Sequence, residues 1–462
     1  MAGPAPQAQE TWSSQLTFLM ASVGFAVGLG NIWRFPYVTG ENGGSAFIIV
    51  YLLCAFIIGV PLVMAEWSIG RRSRNSASAP SCISDVASQG NVSNKWSVIG
   101  DIAVLAVFML MLTYTVVASW TFDYFIRAVS GSFNEITAAG STSMFQDLMA
   151  SPGRLMFWHA VVVVITVAVN SKGITAGIEK AVNVLIPSLF ICILLMVVYS
   201  FFVGDIASTF DFLLTPDFSK INASTILLAI GQAFFSIGIA MAVMITYGSY
   251  LTKDTSIPQN AFIVVSADTF VALIAGFAIF PIVFSYGLQI NSGPGLVFET
   301  LPLAFGGLPG GQVFGAIFFM LLIAAALTSC ISNFAPVNAW CAEKFKMSHT
   351  KAAIVSGIVM WVFGLVALAS LNILEDVRPL GFIEKFADMT IFNIIDYFAA
   401  NILFPFGALL TSIFIGWILP PHIIQEEIGL SKDSKGYKLW INLMRYFIPV
   451  AISIIFYMSA TG

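Results

Sequence analysis

Charge is scarce in this sequence. Lys and Arg number 20 and Asp and Glu 24 among 462 residues, 10% of the chain, where soluble globular domains carry roughly 25%. That shortage excludes an ordinary soluble enzyme and a disordered chain. Histidine (3) and cysteine (5) are also rare. Cys54, Cys82, Cys192, Cys330 and Cys341 show no metal-ligand spacing and read as small apolar packing residues. His159, His349 and His422 are scattered at expected helix ends or loops. No serine-hydrolase elbow, Walker loop or His-Glu-x-x-His motif is present, so no enzyme is expected. A net charge of −4 gives no sign of a nucleic-acid partner.

What the chain does have is apolar length. It is 58% hydrophobic, with 41 Phe and 37 Gly, and its mean hydropathy is +0.90. A transmembrane β-barrel alternates polar and apolar residues and leaves a much weaker signal. The expected class is therefore an all-α polytopic membrane protein. Stretches without Asp, Glu, Lys or Arg run over 11–33, 42–65, 102–122, 155–171, 181–204, 221–252, 269–298, 300–342, 352–374, 397–425 and 446–462. A crossing helix needs ~20 apolar residues, so eleven spans are expected. Leu301-Pro302 and the run Gly306-Gly307-Leu308-Pro309-Gly310-Gly311 read as a loop, with a helix from about Gln312.

An odd count puts the termini on opposite sides. With the N-terminus inside, the inner loops hold 14 of the 20 Lys and Arg: Arg71, Arg72, Arg74, Lys95, Lys172, Lys180, Lys253, Lys344, Lys346, Lys351, Lys432, Lys435, Lys438 and Arg445. The outer side keeps Arg34, Arg127, Arg154, Lys220, Arg378 and Lys385. This bias favours a cytoplasmic N-terminus and an external C-terminus in the plasma (inner) membrane. Residues 1–11 are polar and the first apolar run is long and Gly-rich, so no cleavable signal is expected.

Two spans resist being continuous helices. The first reads Gly24-Phe25-Ala26-Val27-Gly28-Leu29-Gly30-Asn31, followed by Arg34-Phe35-Pro36. The sixth reads Gly231-Gln232-Ala233-Phe234-Phe235-Ser236-Ile237-Gly238-Ile239-Ala240. Each mid-helix Gly costs roughly 1 kcal/mol relative to Ala, although small residues also serve close helix packing in membranes. Spans one and six are the spacing of a five-span unit used twice in opposite orientation. Such repeats place a site at the midplane between broken helices, where freed carbonyls suit cations and freed N–H groups suit anions.

Ionisable groups inside the apolar runs mark function. Glu66 could satisfy N–H groups freed by the breaks or act in transport directly. Asp268 has a bound cation as a natural partner. Thr328 and Ser329 offer adjacent hydroxyls for a hard cation, or bonds back to their own helix.

Taken together, Gly28-Leu29-Gly30-Asn31, Trp33-Arg34-Phe35-Pro36-Tyr37 and Glu41-Asn42-Gly43-Gly44 resemble the signature of the neurotransmitter:sodium symporter family. Gly293-Pro294-Gly295-Leu296 and Thr246-Tyr247-Gly248-Ser249-Tyr250 resemble its outer loop and the end of its sixth helix. The resemblance covers nearly the whole chain and implies a LeuT-type five-plus-five inverted repeat, with helices 1 and 6 unwound at mid-membrane. The implied organisation is a cytoplasmic tail (1–14), a first five-helix repeat (15–205), a second, inverted repeat (221–419, outer loop about 290–311) and an eleventh helix (438–462).

The resemblance also implies two sodium sites. The first would use Ala26, Asn31, Ser236 and Asp268. The second would use Gly24, Val27, Ala325, Thr328 and Ser329. Substrate would lie among Ala26, Gly28, Gly30, Leu110, Tyr114, Phe235, Ser236, Gly238, Ile239, Met241, Ser329 and Asn333. In monoamine-transporting relatives an aspartate stands at position 28. Gly28 instead leaves room for a substrate carboxylate, which favours an amino acid. Arg34 and Asp396 would form the outer gate. Asp268 stands where chloride-coupled relatives have Asn, so chloride independence is expected. Gly177 and Pro187 enclose nine residues, a spacing associated in the family with unwinding of the fifth helix. It is equally readable as a kink.

There are departures from the family pattern. The basic residue usual in the N-terminal tail is absent, leaving Trp12 as a candidate inner plug, with Tyr250 and Glu343 at the other inner gate positions. Gly238 stands where serine is frequent, and Ala240 and Ala242 replace glycines. Asn333 occupies a normally apolar position. A buried Asn wants a hydrogen-bond partner, on the substrate or on a neighbouring helix. The expected function is sodium-coupled import of a neutral amino acid. The alternative is a transporter-like amino-acid sensor without turnover.

Overall fold

A computed structural model describes residues 10–73, 76–287 and 293–461, apart from the side chains of 458–461. The tail up to residue 9, Arg74 and residues 290–292 of the expected outer loop lie outside the described residues.

The described chain is helical throughout. It begins with α1 (Gln15–Ala26), α2 (Gly30–Glu41), α3 (Ser45–Ser73) and α4 (Ala79–Gln89). It continues through α5 (Asn94–Val129), α6 (Ala138–Met149), α7 (Pro152–Asn170), α8 (Ile174–Val203) and α9 (Ile206–Leu214). The second half holds α10 (Ala223–Ile237), α11 (Val243–Ser249), α12 (Ile257–Ser285), α13 (Leu296–Gly307) and α14 (Gly311–Lys344). It ends with α15 (His349–Ala369), α16 (Ile391–Ile418), α17 (Pro421–Ile428) and α18 (Lys435–Tyr457).

Among the described residues nine of these helices are long and apolar enough to cross a membrane, or ten if α1 and α2 are one bent span. Each of the nine overlaps one charge-free run of the sequence. One local expectation needs correction. Residues 301–307 are not loop but the end of α13, because Leu301-Pro302 sits where a missing proline N–H is harmless, at the start of the α-helical turn. The chain does turn at Leu308–Gly310, where Gly310 takes φ +73°, and α14 begins one residue before Gln312.

The two Gly-rich segments interrupt their helices. Helix α1 stops at Ala26, and α2 leaves it at 51°. Helix α10 stops at Ile237 against Gly238, whose φ is +74°. Ala240 and Ala242 then adopt φ +60°, a conformation that costs an L-residue roughly 1–2 kcal/mol. Alanine therefore keeps the left-handed backbone that glycine would enter freely. The strain is held by Glu66, whose Oε1 accepts the Ala240 N–H at 2.8 Å.

Around the breaks, α14 packs on α5 and α8, and α11 packs on α3. The α3–α11 approach is backbone to backbone. A β-carbon on Gly70 would stand 2.0 Å from the Ile245 carbonyl oxygen, and one on Gly248 would stand 2.7 Å from that of Trp67. Two ion pairs lie at helix ends. Arg71, closing α3, pairs with Glu427 of α17 at 2.8 Å, and Asp123 near the far end of α5 bonds Arg127 at 2.6 Å.

Candidate functional site

The broken helices meet at an acid. Asp268 of α12 is fully buried. Its carboxylate accepts from Asn31 Nδ2 at 2.6 Å and from Ser236 Oγ at 2.8 and 3.0 Å. Asn31 Nδ2 also reaches Ser236 Oγ at 3.0 Å, and Asn31 Oδ1 accepts the Gly28 N–H at 3.0 Å. Three helices thus converge at one buried, oxygen-rich point, as three of the residues proposed for the first sodium site. A fourth group arrives from α3: Tyr51 donates its hydroxyl to Asp268 at 3.3 Å. Sequence reasoning missed Tyr51. Its signal was a tyrosine hydroxyl inside an apolar run, which needs a partner once buried.

Beside this acid lies a cavity of about 20 Å³ lined by Ala26, Gly28, Gly30, Leu110, Tyr114, Phe235, Ser236, Gly238, Met241, Ser329 and Asn333, with Asn31 and Phe25. Eleven of the twelve expected substrate residues line it. Ile239 is the exception; it is buried but not among the lining residues. The cavity depends on Gly28: a β-carbon there would stand 2.6 Å from Ser329 Oγ and 3.0 Å from Tyr114 Oη. Tyr114 Oη accepts the Leu29 N–H at 3.3 Å, and Ser329 donates to the Phe25 carbonyl at 3.3 Å. Phe25 was not anticipated, since nothing local distinguishes it from a packing phenylalanine.

Phe235 forms the lid of this cavity, and the Arg34 guanidinium lies 4.6 Å from its ring centroid. Above Phe235 opens a cavity of about 310 Å³ with Trp33, Arg34, Tyr37, Trp120 and Asp396 in its wall. Arg34 and Asp396 face this space together but form no ion pair among the described residues. The expected outer gate is therefore apart, because the cavity separates the helices that carry it.

For the expected second sodium set, the structure brings α1 against α14. A β-carbon on Gly24 would lie 3.5 Å from Thr328 Cβ and 2.5 Å from Ile186 Cδ1. Ile186 precedes Pro187, so α8 touches the same point. Thr328 Oγ1 donates back to the Ala324 and Ala325 carbonyls at 3.0 Å, while Ser329 crosses to α1. Val27 ends α1 in an extended conformation. Pro187 lies within a continuous helical segment, and Gly177 lies in the preceding wide turn, Ile174–Ile178.

Trp12 is buried against the end of α11. Its indole N–H donates to the Tyr247 carbonyl at 3.1 Å, and its backbone N–H to that of Tyr250 at 3.3 Å. Ser13 donates N–H and hydroxyl to the Glu179 carboxylate, both at 2.8 Å, and Glu10 accepts the Ile174 N–H at 2.9 Å. The tail that lacks a cation is thus fastened to the start of α8 through carboxylates. Among the described residues no hydrogen bond joins Glu343 to Tyr250. Glu343 instead accepts from Ser76 and from the N–H groups of Ala77 and Ser78, at 2.6, 3.0 and 3.1 Å, because α14 ends beside the N-terminus of α4, where orphan N–H groups attract an acid.

Two interrupted helical segments thus meet at a buried carboxylate within a bundle of long apolar helices. The chain belongs to the sodium:neurotransmitter symporter family, whose sequence pattern matches residues 9–139 and 139–462. It is 34% identical over 447 residues to an uncharacterized sodium-dependent transporter, YhdH, of Bacillus subtilis (strain 168), covering 96% of each chain. It is also 34% identical to an uncharacterized sodium-dependent transporter of Haemophilus influenzae over 97% of each. Among solved structures it is similar to MhsT in complex with L-phenylalanine, with a TM-score of 0.87 and 37% identity over 97% of this chain and 99% of that one. The protein is an integral membrane, sodium-dependent transporter and not an enzyme.

Proposed function

We propose that the protein imports a neutral amino acid with sodium across the plasma membrane by alternating access, without chloride. On this reading α1 with α2 and α10 with α11 are two broken spans, which brings the count to eleven. The two five-helix repeats, 15–205 and 221–419, face each other in opposite orientation, with the N-terminus cytoplasmic and the C-terminus outside.

The convergence of Asn31, Ser236 and Asp268 beside the small cavity is the observation that carries the reading. Sodium entering there would exchange those hydrogen bonds for ion–oxygen contacts, joined by the Ala26 carbonyl and by the substrate carboxylate. A shared carboxylate makes each ligand bind better when the other is present. The second ion would take the carbonyls of Gly24, Val27 and Ala325 and the hydroxyls of Thr328 and Ser329. Asp268 supplies the negative charge that chloride brings to relatives with a neutral residue. The neighbour's phenylalanine complex supports an amino-acid substrate.

Proteoliposomes decide the matter. A sodium gradient should accumulate a labelled amino acid above equilibrium, and dissipating the gradient should release it. Sodium-dependent binding without accumulation would leave the sensor reading instead.

A further inference from the structure

We infer that Asn333 selects, among neutral amino acids, those whose side chain ends in a hydrogen-bonding group. This rests on the amino-acid reading of the cavity and deepens it.

Asn333 is 3% exposed, and its Oδ1 has no hydrogen-bond partner. Its carboxamide bonds no neighbouring helix among the described residues, so the structural alternative raised by the sequence is not the one adopted. The other polar groups of the cavity are engaged. Asn31 and Ser236 hold Asp268, Ser329 bonds the Phe25 carbonyl, and Tyr114 bonds the Leu29 N–H. They gather toward the broken backbone and the acid, where the amino and carboxylate groups of a substrate would be read. Asn333 lies one helical turn beyond Ser329, in a lining completed by Leu110, Met241, Phe25 and Gly238. Gly238 brings no polar group to this end, and Phe25 fills the space beside it.

The chemistry follows from that isolation. A buried carboxamide without partners is unfavourable, and a ligand that bonds its Oδ1 or its Nδ2 relieves it. An apolar side chain of equal size leaves the group unpaired, and sites built to bond a substrate donor discriminate strongly against such an analogue. Among the described residues no formally charged side chain lines the cavity, and Asp268 beside it is held among its own partners. A cationic or anionic substrate side chain would therefore meet no free counter-charge beside Asn333. The favoured class is neutral and hydrogen-bonding: a hydroxyl, carboxamide or indole N–H.

The test uses isosteric pairs in sodium: L-threonine against L-valine, L-glutamine against L-methionine, and L-tyrosine against L-phenylalanine. Affinity is read from the melting shift each gives the purified full-length protein. At least one donor-bearing member should bind about tenfold or more tightly than its isostere. Asn333→Leu should reduce that ratio to within about twofold. Pairs that bind in sodium without discrimination, or discrimination that survives Asn333→Leu, would overturn the inference and leave amino-acid binding intact. If the variant fails to fold, an absence of discrimination by the unmodified protein still overturns the inference. If no amino acid shifts melting in sodium, the reading of the cavity itself falls.

Discussion

Phe25 occupies the space a side chain at position 238 would need: a β-carbon on Gly238 would stand 2.2 Å from Phe25 Cζ. The ring and the missing side chain are complementary, and they join the two broken helices. Gly238 also holds φ +74°, so Gly238→Ser meets both a clash and an unfavourable backbone. The expected loss is about 1–3 kcal/mol of stability, with uptake abolished. Adding Phe25→Ala should return the part due to the clash and leave the backbone part. Thermal melting of the single and double variants measures both, and full recovery would show that the backbone conformation costs nothing.

Asp268 joins α12 to both breaks. Asp268→Asn removes the negative charge and should lower sodium-driven uptake at least about tenfold, since a buried acid in a bundle is kept for an ion. The unmodified protein should transport equally in chloride and in gluconate. A fall in gluconate would contradict the assignment of the negative charge to Asp268.

Glu66 should act through its acceptor oxygen. Glu66→Ala orphans the Ala240 N–H and should cost about 1–3 kcal/mol. Glu66→Gln retains a carbonyl oxygen for that N–H and should restore most of the loss in melting temperature. Equal melting of the two variants would separate Glu66 from the strained segment.

Trp12 is bonded to the Tyr247 carbonyl of α11, and its proposed role is to plug the inner side. Thr246 of α11 is 1% exposed with an unpartnered hydroxyl, which makes it a reporter position. In a background with the native cysteines replaced by serine, Thr246→Cys should react slowly with a maleimide. Trp12→Ala should accelerate labelling by about tenfold, a shift of ~1.4 kcal/mol toward open forms. Unchanged labelling would mean that another element covers this path.

The sequence alone determined the class, the approximate position of each long span and the location of the two interruptions. Absence of charge over ~20 residues and a cluster of glycines are local properties, legible without knowing any neighbour. The acid at 268 and the Asn at 333 were legible for the same reason: each is a polar residue where local context supplies none.

Only the tertiary structure decided who meets whom. Tyr51 reaches Asp268, Phe25 covers Gly238, Glu343 serves α4 rather than Tyr250, and Arg34 stands apart from Asp396. Those pairings depend on how each helix is rotated and how deep it sits, and every face of a buried helix is apolar enough to leave that rotation unspecified.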